Sequence, residues 1–393
     1  MTTTGPIRLQ RLELENFRGF EKLVLDFEPD LTVLVGANGS GKTSILEAVV
    51  HAWGTGHLNL IDLPPTATYQ VVRLTCSGAD GVHPLVGFEW QRGADNLWGG
   101  NAYGRENRPP LSMYRVNRQV RDQTPDPART SYSQKWSAQD QWQDASASYE
   151  DFFHWLKALE DIENEQVRYE GGNPNPQLAA VKRAVLELLP EFQEIRVRRH
   201  MPPFSEKPVL MLRKGDIELP FDALSEGERT TIAMVGDIAR RLVLLGQHED
   251  PLQTAATVLI DEIEQHAHPG WQRQILRRLR QTFPNVQLIT TTHSPVIVSE
   301  VEPRHLRVLK DFALVPPEHG PGRDANAVLE DVFGVPRRKQ DVQEALDALA
   351  KAIEDERFDE ADQLLARLDT MIPGGADPDI VYYRNLLALT RAT

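Results

Sequence analysis

The stretch Leu31-Thr32-Val33-Leu34-Val35-Gly36-Ala37-Asn38-Gly39-Ser40-Gly41-Lys42-Thr43-Ser44-Ile45-Leu46-Glu47-Ala48-Val49-Val50 decides the fold. Its first five residues are apolar or β-branched and read as a buried strand, and the residues from Thr43 onward read as a helix. Between them lies a complete GxxxxGKT loop, whose glycines let backbone N–H groups turn inward and cradle phosphates at a helix N-terminus. Lys42 is placed to reach β- and γ-phosphates, and the Thr43 hydroxyl to hold Mg²⁺. Asn38, Gly39, Ser40, Gly41 and Ser44 supply the remaining expected nucleotide contacts. The strand–loop–helix context argues against a chance glycine-rich turn.

Four further motifs follow in a fixed order. Leu224-Ser225-Glu226-Gly227-Glu228 has the form of an ABC signature, with Ser225, the Gly227 backbone and Glu228 as expected nucleotide contacts. Thr257-Val258-Leu259-Ile260-Asp261-Glu262 is an apolar strand ending in two carboxylates. Ligands bind at the carboxyl edge of a parallel sheet, so Asp261 is expected to position Mg²⁺ and Glu262 to act as general base on the attacking water. Val286-Gln287-Leu288-Ile289 leads to Thr291-Thr292-His293-Ser294-Pro295, where His293 is expected to sense the γ-phosphate. Ile263-Glu264-Gln265-His266-Ala267-His268-Pro269 resembles a D-loop, a better reading of His266 and His268 than a metal pair. Taken together the motifs predict an ABC-type ATPase whose cofactors are ATP and Mg²⁺. In such enzymes the signature completes the site of a partner subunit, so one copy of each motif implies a homodimer, or pairing with a close relative.

Composition bounds the remaining classes. Of 393 residues 40% are apolar, enough for one large or two modest cores. No run approaches the roughly 20 apolar residues that span a bilayer, and residues 1–6 lack a signal-peptide apolar region, so a cytoplasmic, membrane-free protein is expected. Cys76 is the only cysteine, which removes internal disulfides and cysteine-based zinc sites. A net charge of −14 argues against a DNA coat over the whole surface and leaves room for a local basic groove. Arg196-Val197-Arg198-Arg199-His200 is the best stretch for one, against the alternative of a solvated strand face.

The expected fold class is α/β, an ABC/SMC-type P-loop ATPase head with a compact helical insert lobe and a C-terminal helical hairpin. Alternation over 7–14 and 23–27 predicts half-buried strands, and 69–92 predicts two more with a turn at 77–81. Residues 121–147 are polar and proline-bearing and read as a loop. Helices are predicted over 151–166, with Phe152, Phe153, Trp155, Leu156 and Leu159 on the apolar face, and over 178–189, with sheet again over 192–221. Trp90, Trp98, Tyr103, Trp136, Trp142 and Tyr149 read as lobe fillers rather than base-stacking platforms. About 180 residues separate the phosphate loop from the signature, too few for a long coiled coil. The expected boundaries are 1–92 and 192–315 for the two halves of the head, 93–191 for the insert and 316–393 for a C-terminal extension. The glutamine that senses Mg²⁺ is read as Gln119, after an apolar strand at 111–116, with Gln70 as the other candidate.

Asn16-Phe17-Arg18-Gly19-Phe20, the phosphate loop, the signature, Ile260-Asp261-Glu262-Ile263, Pro269-Gly270-Trp271-Gln272-Arg273 and Thr291-Thr292-His293-Ser294-Pro295 together resemble the SMC-like ATPases that include RecF and the OLD family. Within them the chain is similar to the PtuA branch, ATPases of Septu-type antiphage defence systems and of some retrons. Asp237-Ile238-Ala239-Arg240-Arg241, Phe283-Pro284-Asn285 and Val328-Leu329-Glu330-Asp331-Val332-Phe333-Gly334-Val335 carry that narrower likeness. The resemblance adds Arg18 to the expected nucleotide contacts. It implies a role in phage defence, regulating an HNH-type nuclease encoded alongside. His268 and Ala267 stand where transporter D-loops carry aspartate and leucine, which weighs against inter-site coupling of the transporter kind.

The chain after Pro295 shows no HNH histidine cluster and no convincing Toprim pattern, so no nuclease activity is expected of it. Residues 340–371 carry amphipathic patterns (Val342, Leu346, Leu349, Ile353; Ala361, Leu364, Leu365, Leu368) and 377–391 add another. They resemble a single TPR-like hairpin, readable as a cap on the head or as a docking surface. Two other functions compete: a stand-alone RecF-like repair ATPase that binds DNA, and a transporter's ATPase subunit. The long insert and the Thr-Thr-His-Ser-Pro switch weigh against the second.

Overall fold

The computed structural model describes residues 6–53, 69–78, 81–92, 98–103, 110–116, 149–171, 174–199, 207–246, 248–316, 333, 338–372 and 377–392. The chain divides into two units, Met1–Arg323 and Asp324–Thr393.

In the first unit, β1 (Arg8–Phe17) and β2 (Phe20–Asp26) form an antiparallel pair, and both bury alternate leucines and phenylalanines. With β4 (Tyr69–Gly78), β5 (Gly81–Arg92) and β6 (Trp98–Tyr103) they make an antiparallel sheet in the order β2-β1-β4-β5-β6. The second sheet is mostly parallel. It runs β14-β13-β3-β12-β11-β7, with β3 at Leu31–Gly36, β7 at Leu111–Tyr114, β11 at Ala256–Ile260, β12 at Val286–Thr292, β13 at Leu306–Lys310 and β14 at Ala313–Val315. All residues of β3, β7, β11 and β12 are buried, as expected of strands covered on both faces. A third, three-stranded sheet joins β8 (Glu194–Arg198), β9 (Val209–Lys214) and β10 (Ile217–Pro220).

Helix α1 (Lys42–Trp53) leaves the loop after β3 and packs its apolar face into the core between the first two sheets. Gln287, in the middle of β12, fastens those sheets together. Its amide accepts from Leu9 N (2.8 Å) and donates to Leu9 O (2.7 Å) and Glu28 O (2.8 Å). A buried amide so fully used holds the sheets in one register, since any shift would strand its polar atoms.

Helix α2 (Tyr149–Glu170) buries Phe152, Phe153, Trp155, Leu156 and Leu159, the face its pattern predicts. Helix α3 (Pro176–Leu188) starts where Asn175 caps the N–H groups of Gln177 and Leu178. Both pack on α4 (Glu226–Leu245), and Phe152 lies where a Cβ on Gly236 would be, 2.4 Å from its ring. Two strands, β6 and β7, fall in the region read from sequence as a helical insert, and β7 is an edge strand of the central sheet. Helices α5 (Pro269–Thr282) and α6 (Pro295–Val298) complete the unit's described helices.

The described residues of the second unit include three helices, α7 (Gln340–Glu354), α8 (Phe358–Met371) and α9 (Pro378–Ala392). Its core holds Leu346, Leu349, Ile353, Ala361, Leu368, Ile380 and Leu387. Arg338 closes it by pairing with Asp377 (2.6 Å) and Asp379 (2.6 Å). All three helices lie where the amphipathic patterns over 340–371 and 377–391 place them. Gln119, the stretch 121–147 and most of 328–335 lie outside the described residues, as do the side chains of Trp90, Trp98, Tyr103, Trp136, Trp142 and Tyr149.

Candidate active site

The parallel strands β3, β11 and β12 end side by side, so the loops that follow them meet at one edge. At Gly41 the backbone has φ +99°, and a Cβ there would sit 2.5 Å from the Phe20 ring; only glycine satisfies both demands. Lys42 is buried and its Nζ donates to the carbonyls of Gly36 and Ala37, each at 2.9 Å. Burial lowers its pKa to about 8, against the opposing pull of Asp261, Glu262 and Glu264. The buried Ser40 Oγ has no hydrogen-bond partner among the described residues.

Thr43 opens the first turn of α1 with its Oγ1 3.0 Å from Asp261 Oδ2 and 3.2 Å from Oδ1. Asp261 directly follows β11, buried, and its backbone N–H donates to Tyr114 O on β7 (2.8 Å). Glu262 turns the chain with φ +48°, and its N–H donates to Thr291 Oγ1 (2.7 Å). His293 approaches from the loop after β12, with Nε2 3.9 Å from Glu262 Oε1 and its backbone N–H donating to the Glu264 carboxylate. Burial, then the nearby Lys42 charge, holds the His293 imidazole below its ordinary pKa. Lys42, Thr43, Asp261, Glu262 and His293 are thus one constellation, drawn from three strand ends.

Arg18, in the turn between β1 and β2, places Nη1 3.2 Å from Ser44 Oγ and pairs with Glu47 on α1. Glu47 also holds Arg115, 2.5 Å away at the end of β7, and these two guanidiniums keep its carboxyl below the usual range despite burial. Gln70 is buried in β4, with Nε2 donating to Asn16 O (3.1 Å).

The signature forms the start of α4. Ser225 caps it, with Oγ accepting from Glu228 N (3.3 Å), while the Glu228 carboxylate accepts from Ser225 N (2.9 Å) and pairs with Lys214 (3.0 Å). This is a reciprocal capping box, legible as Ser-x-x-Glu ahead of a helix but not noticed in the reading of the motif as a nucleotide contact. A Cβ on Gly227 would lie 2.3 Å from His266 O, so the signature and the D-loop-like turn touch through a position that must be glycine. His268 caps α5, its Nδ1 accepting from Gly270 N (3.2 Å), and His266 Nε2 lies 3.4 Å from Glu226. Among the described residues no group of three or more His, Cys, Asp or Glu side chains is placed to hold a metal ion alone.

Two further features are not evident from the sequence. Thr291 joins Asp261 and Glu262 through its hydroxyl. Asp237 on α4 is fully buried, with Arg240 (2.5 Å), Arg241 (2.8 Å) and the Tyr114 hydroxyl (3.0 Å) around it. The helical spacing of Asp237, Arg240 and Arg241 is visible in the sequence, but their burial is not. The candidate basic groove is largely neutralised: Arg196 pairs with Glu218 (2.6 Å), and Arg199 with Glu160 (3.0 Å) and Asp161 (2.7 Å).

Residues 108–299 match the family model described as "AAA domain, putative AbiEii toxin, Type IV TA system", and residues 11–169 match one described as "AAA domain". The chain is 28% identical to the retron Ec83 probable ATPase of Escherichia coli, over 85% of this chain and 77% of that one. It is 22% identical to the Septu protein PtuA of Bacillus thuringiensis, over 93% and 94% of the two chains. A solved SMC head domain from Thermotoga maritima aligns over 79% of this chain and all of its own length at 16% identity, with a TM-score of 0.43. No helix among the described residues is long and apolar enough to cross a membrane. The AAA-domain models and the relatives named as ATPases make the chain an ATPase, similar over most of its length to the retron ATPases and to PtuA.

Proposed function

We propose that this ATPase works as a dimer whose shared ATP sites gate a partner effector, an HNH-type nuclease, in defence against phage. The observation that carries the catalytic part is the contact of Thr43 Oγ1 with the Asp261 carboxylate, 3.0 Å away across two strand ends. A hydroxyl and a carboxylate beside a phosphate loop suit Mg²⁺, which takes one or two protein oxygens and completes its shell with phosphate and water. The orphaned Ser40 hydroxyl and the inward-turned loop suit the phosphates themselves.

In this reading Asn38, Gly39, Ser40, Gly41 and Ser44 line the phosphates, Arg18 lies beside Ser44, and Lys42 moves from the loop carbonyls to the β- and γ-phosphates. Thr43 and Asp261, with Gln119 as read from the sequence, would hold Mg²⁺, which would supply charge neutralisation at the phosphate oxygens. Glu262 takes a proton from water as the water oxygen bonds to the γ-phosphorus and the bond to the ADP oxygen breaks. His293, whose imidazole burial holds below its ordinary pKa, faces the departing phosphate in this reading. Ser225, Gly227 and Glu228 stand at the start of a helix, whose free N–H groups favour anions, and contact the γ-phosphate of the second subunit.

The names borne by the relatives, a retron ATPase and a Septu protein, support the defence role. The RecF-like alternative is less well supported, because the basic run it would use is paired with acids. Light scattering on Glu262→Gln protein tests the dimer: saturating ATP should double its mass, and Lys42→Ala protein should stay as it was. A Glu262→Gln protein that remains monomeric sinks the shared-site reading. Co-expression with the neighbouring genes tests the effector, since the tagged chain should bring down a nuclease whose DNA cleavage changes with Lys42→Ala.

A further inference from the structure

We infer that Thr291 is a positioning residue for the hydrolytic step, fixing both the Asp261 carboxylate and the direction of Glu262. The inference rests on the reading of Asp261 and Glu262 given above. Thr291 is fully buried in the second-last position of β12, next to β11. Its hydroxyl has a single proton, and the geometry assigns it to Asp261 Oδ1, 2.6 Å away. The same oxygen accepts from Glu262 N at 2.7 Å, and the Thr291 carbonyl accepts from Ile263 N at 3.1 Å.

Two consequences follow for the acids. Oδ1 of Asp261 accepts from Thr291 at 2.6 Å, which fixes the carboxylate so that Oδ2 lies nearer to Thr43, at 3.0 Å against 3.2 Å for Oδ1. Glu262 has left-handed φ of +48°, a conformation that costs a non-glycine residue roughly 1–2 kcal/mol. Thr291 holds that turn from both sides, through the N–H of Glu262 and the N–H that follows it. The neighbouring threonines do different things: Thr290 donates to Thr291 O (3.2 Å), and Thr292 accepts from Ser294 N (3.0 Å). Only the middle hydroxyl of the three touches both acidic residues.

Steady-state ATP hydrolysis by Thr291→Val, which keeps the shape and removes the hydroxyl, tests this. The expected result is a fall in kcat of about 10- to 100-fold with KM for ATP changed by less than about threefold, the range seen when a supporting partner of a metal ligand is lost. Thr291→Ser, which keeps the hydroxyl, should retain about a third of wild-type kcat or more. Serine and alanine at 291 differ only in that oxygen, so Thr291→Ala falling well below Thr291→Ser supports the role even if the valine variant does not fold. Equal loss in the serine and alanine variants would mean that only packing matters, and the inference fails. It fails equally if Thr291→Val stays within about twofold of wild type, or if KM alone rises. Lys42→Ala in the same series separates the two levels. Normal hydrolysis by that variant overturns the site itself, whereas an inactive Lys42→Ala beside an unaffected Thr291→Val overturns only the part given to Thr291.

Discussion

Asp237 and Asp261 are both aspartates buried within the same unit, and Tyr114 touches both: its hydroxyl donates to Asp237, and its carbonyl accepts from Asp261 N. Their surroundings differ in kind. Asp237 is enclosed by two guanidiniums and a phenol, every one of them turned inward, and the knot ties α4 to β7. Asp261 is met by two neutral hydroxyls, while the nearest ammonium, Lys42, points its protons at backbone carbonyls instead. One carboxylate is neutralised by its own protein and is structural. The other has only hydroxyls bonded to it among the described residues, which suits the metal role proposed above. Burial and residue type are the same, so the distinction lies in where the partner's donors point.

Asparagine at each position should divide the effects cleanly. Asp261→Asn should lower kcat by about a thousandfold, roughly 4 kcal/mol, with unfolding free energy changed by less than about 1 kcal/mol. Steady-state kinetics and urea titration read the two quantities. Asp237→Asn should do the reverse, costing about 3 kcal/mol of stability by leaving two buried guanidiniums without their counter-charge. Loss of hydrolysis without loss of stability at 237 would break the comparison. The two arginines hold the Asp237 carboxyl below its ordinary pKa despite burial, so its contribution is complete above the unfolded carboxylate's pKa and fades as pH falls through the lowered value.

Tyr114→Phe removes a single donor to a charged acceptor and should cost about 2 kcal/mol of stability. Because it leaves the Tyr114 carbonyl in place, kcat per folded molecule should be unchanged. The smallest effect concerns Lys42. With a pKa of about 8 it is mainly charged at pH 7 and mainly neutral at pH 9. Phosphates favour the ammonium, so nucleotide binding takes up a proton above pH 8, and affinity should weaken about tenfold from pH 7 to pH 9. Fluorescent-nucleotide titration across that range measures it, and a flat profile would mean that Lys42 does not hold the phosphates.

The elements of the candidate site were readable because they are short and strongly patterned. Three buried strands, each followed by a loop that carries one of the motifs at 36–43, 261–262 and 293–295, lie where the patterns place them. The helix faces at Phe152 and Leu156, and at Leu346 and Leu349, were likewise visible from spacing alone. What could not be read were partners far apart in sequence. Gln287 looks like an ordinary strand residue until Leu9 is set beside it, and nothing local says that Arg199 belongs to Glu160. Glu228 shows a subtler limit. It was read for the signature's chemistry, while its carboxylate is bound into a helix cap, a role that the same spacing also announces.

The placement of β3 has a consequence for how the protein is made. Both neighbours of this strand, β12 and β13, come from residues 286–310, some 250 positions further along the chain. On the ribosome the strand carrying the phosphate loop therefore emerges some 250 residues before either of its flanks. An apolar strand of that kind is slow to find its place and prone to pair with the wrong chain meanwhile. The nascent protein should accordingly depend on chaperones more heavily than its final stability would suggest, and truncations ending before residue 286 should aggregate rather than fold.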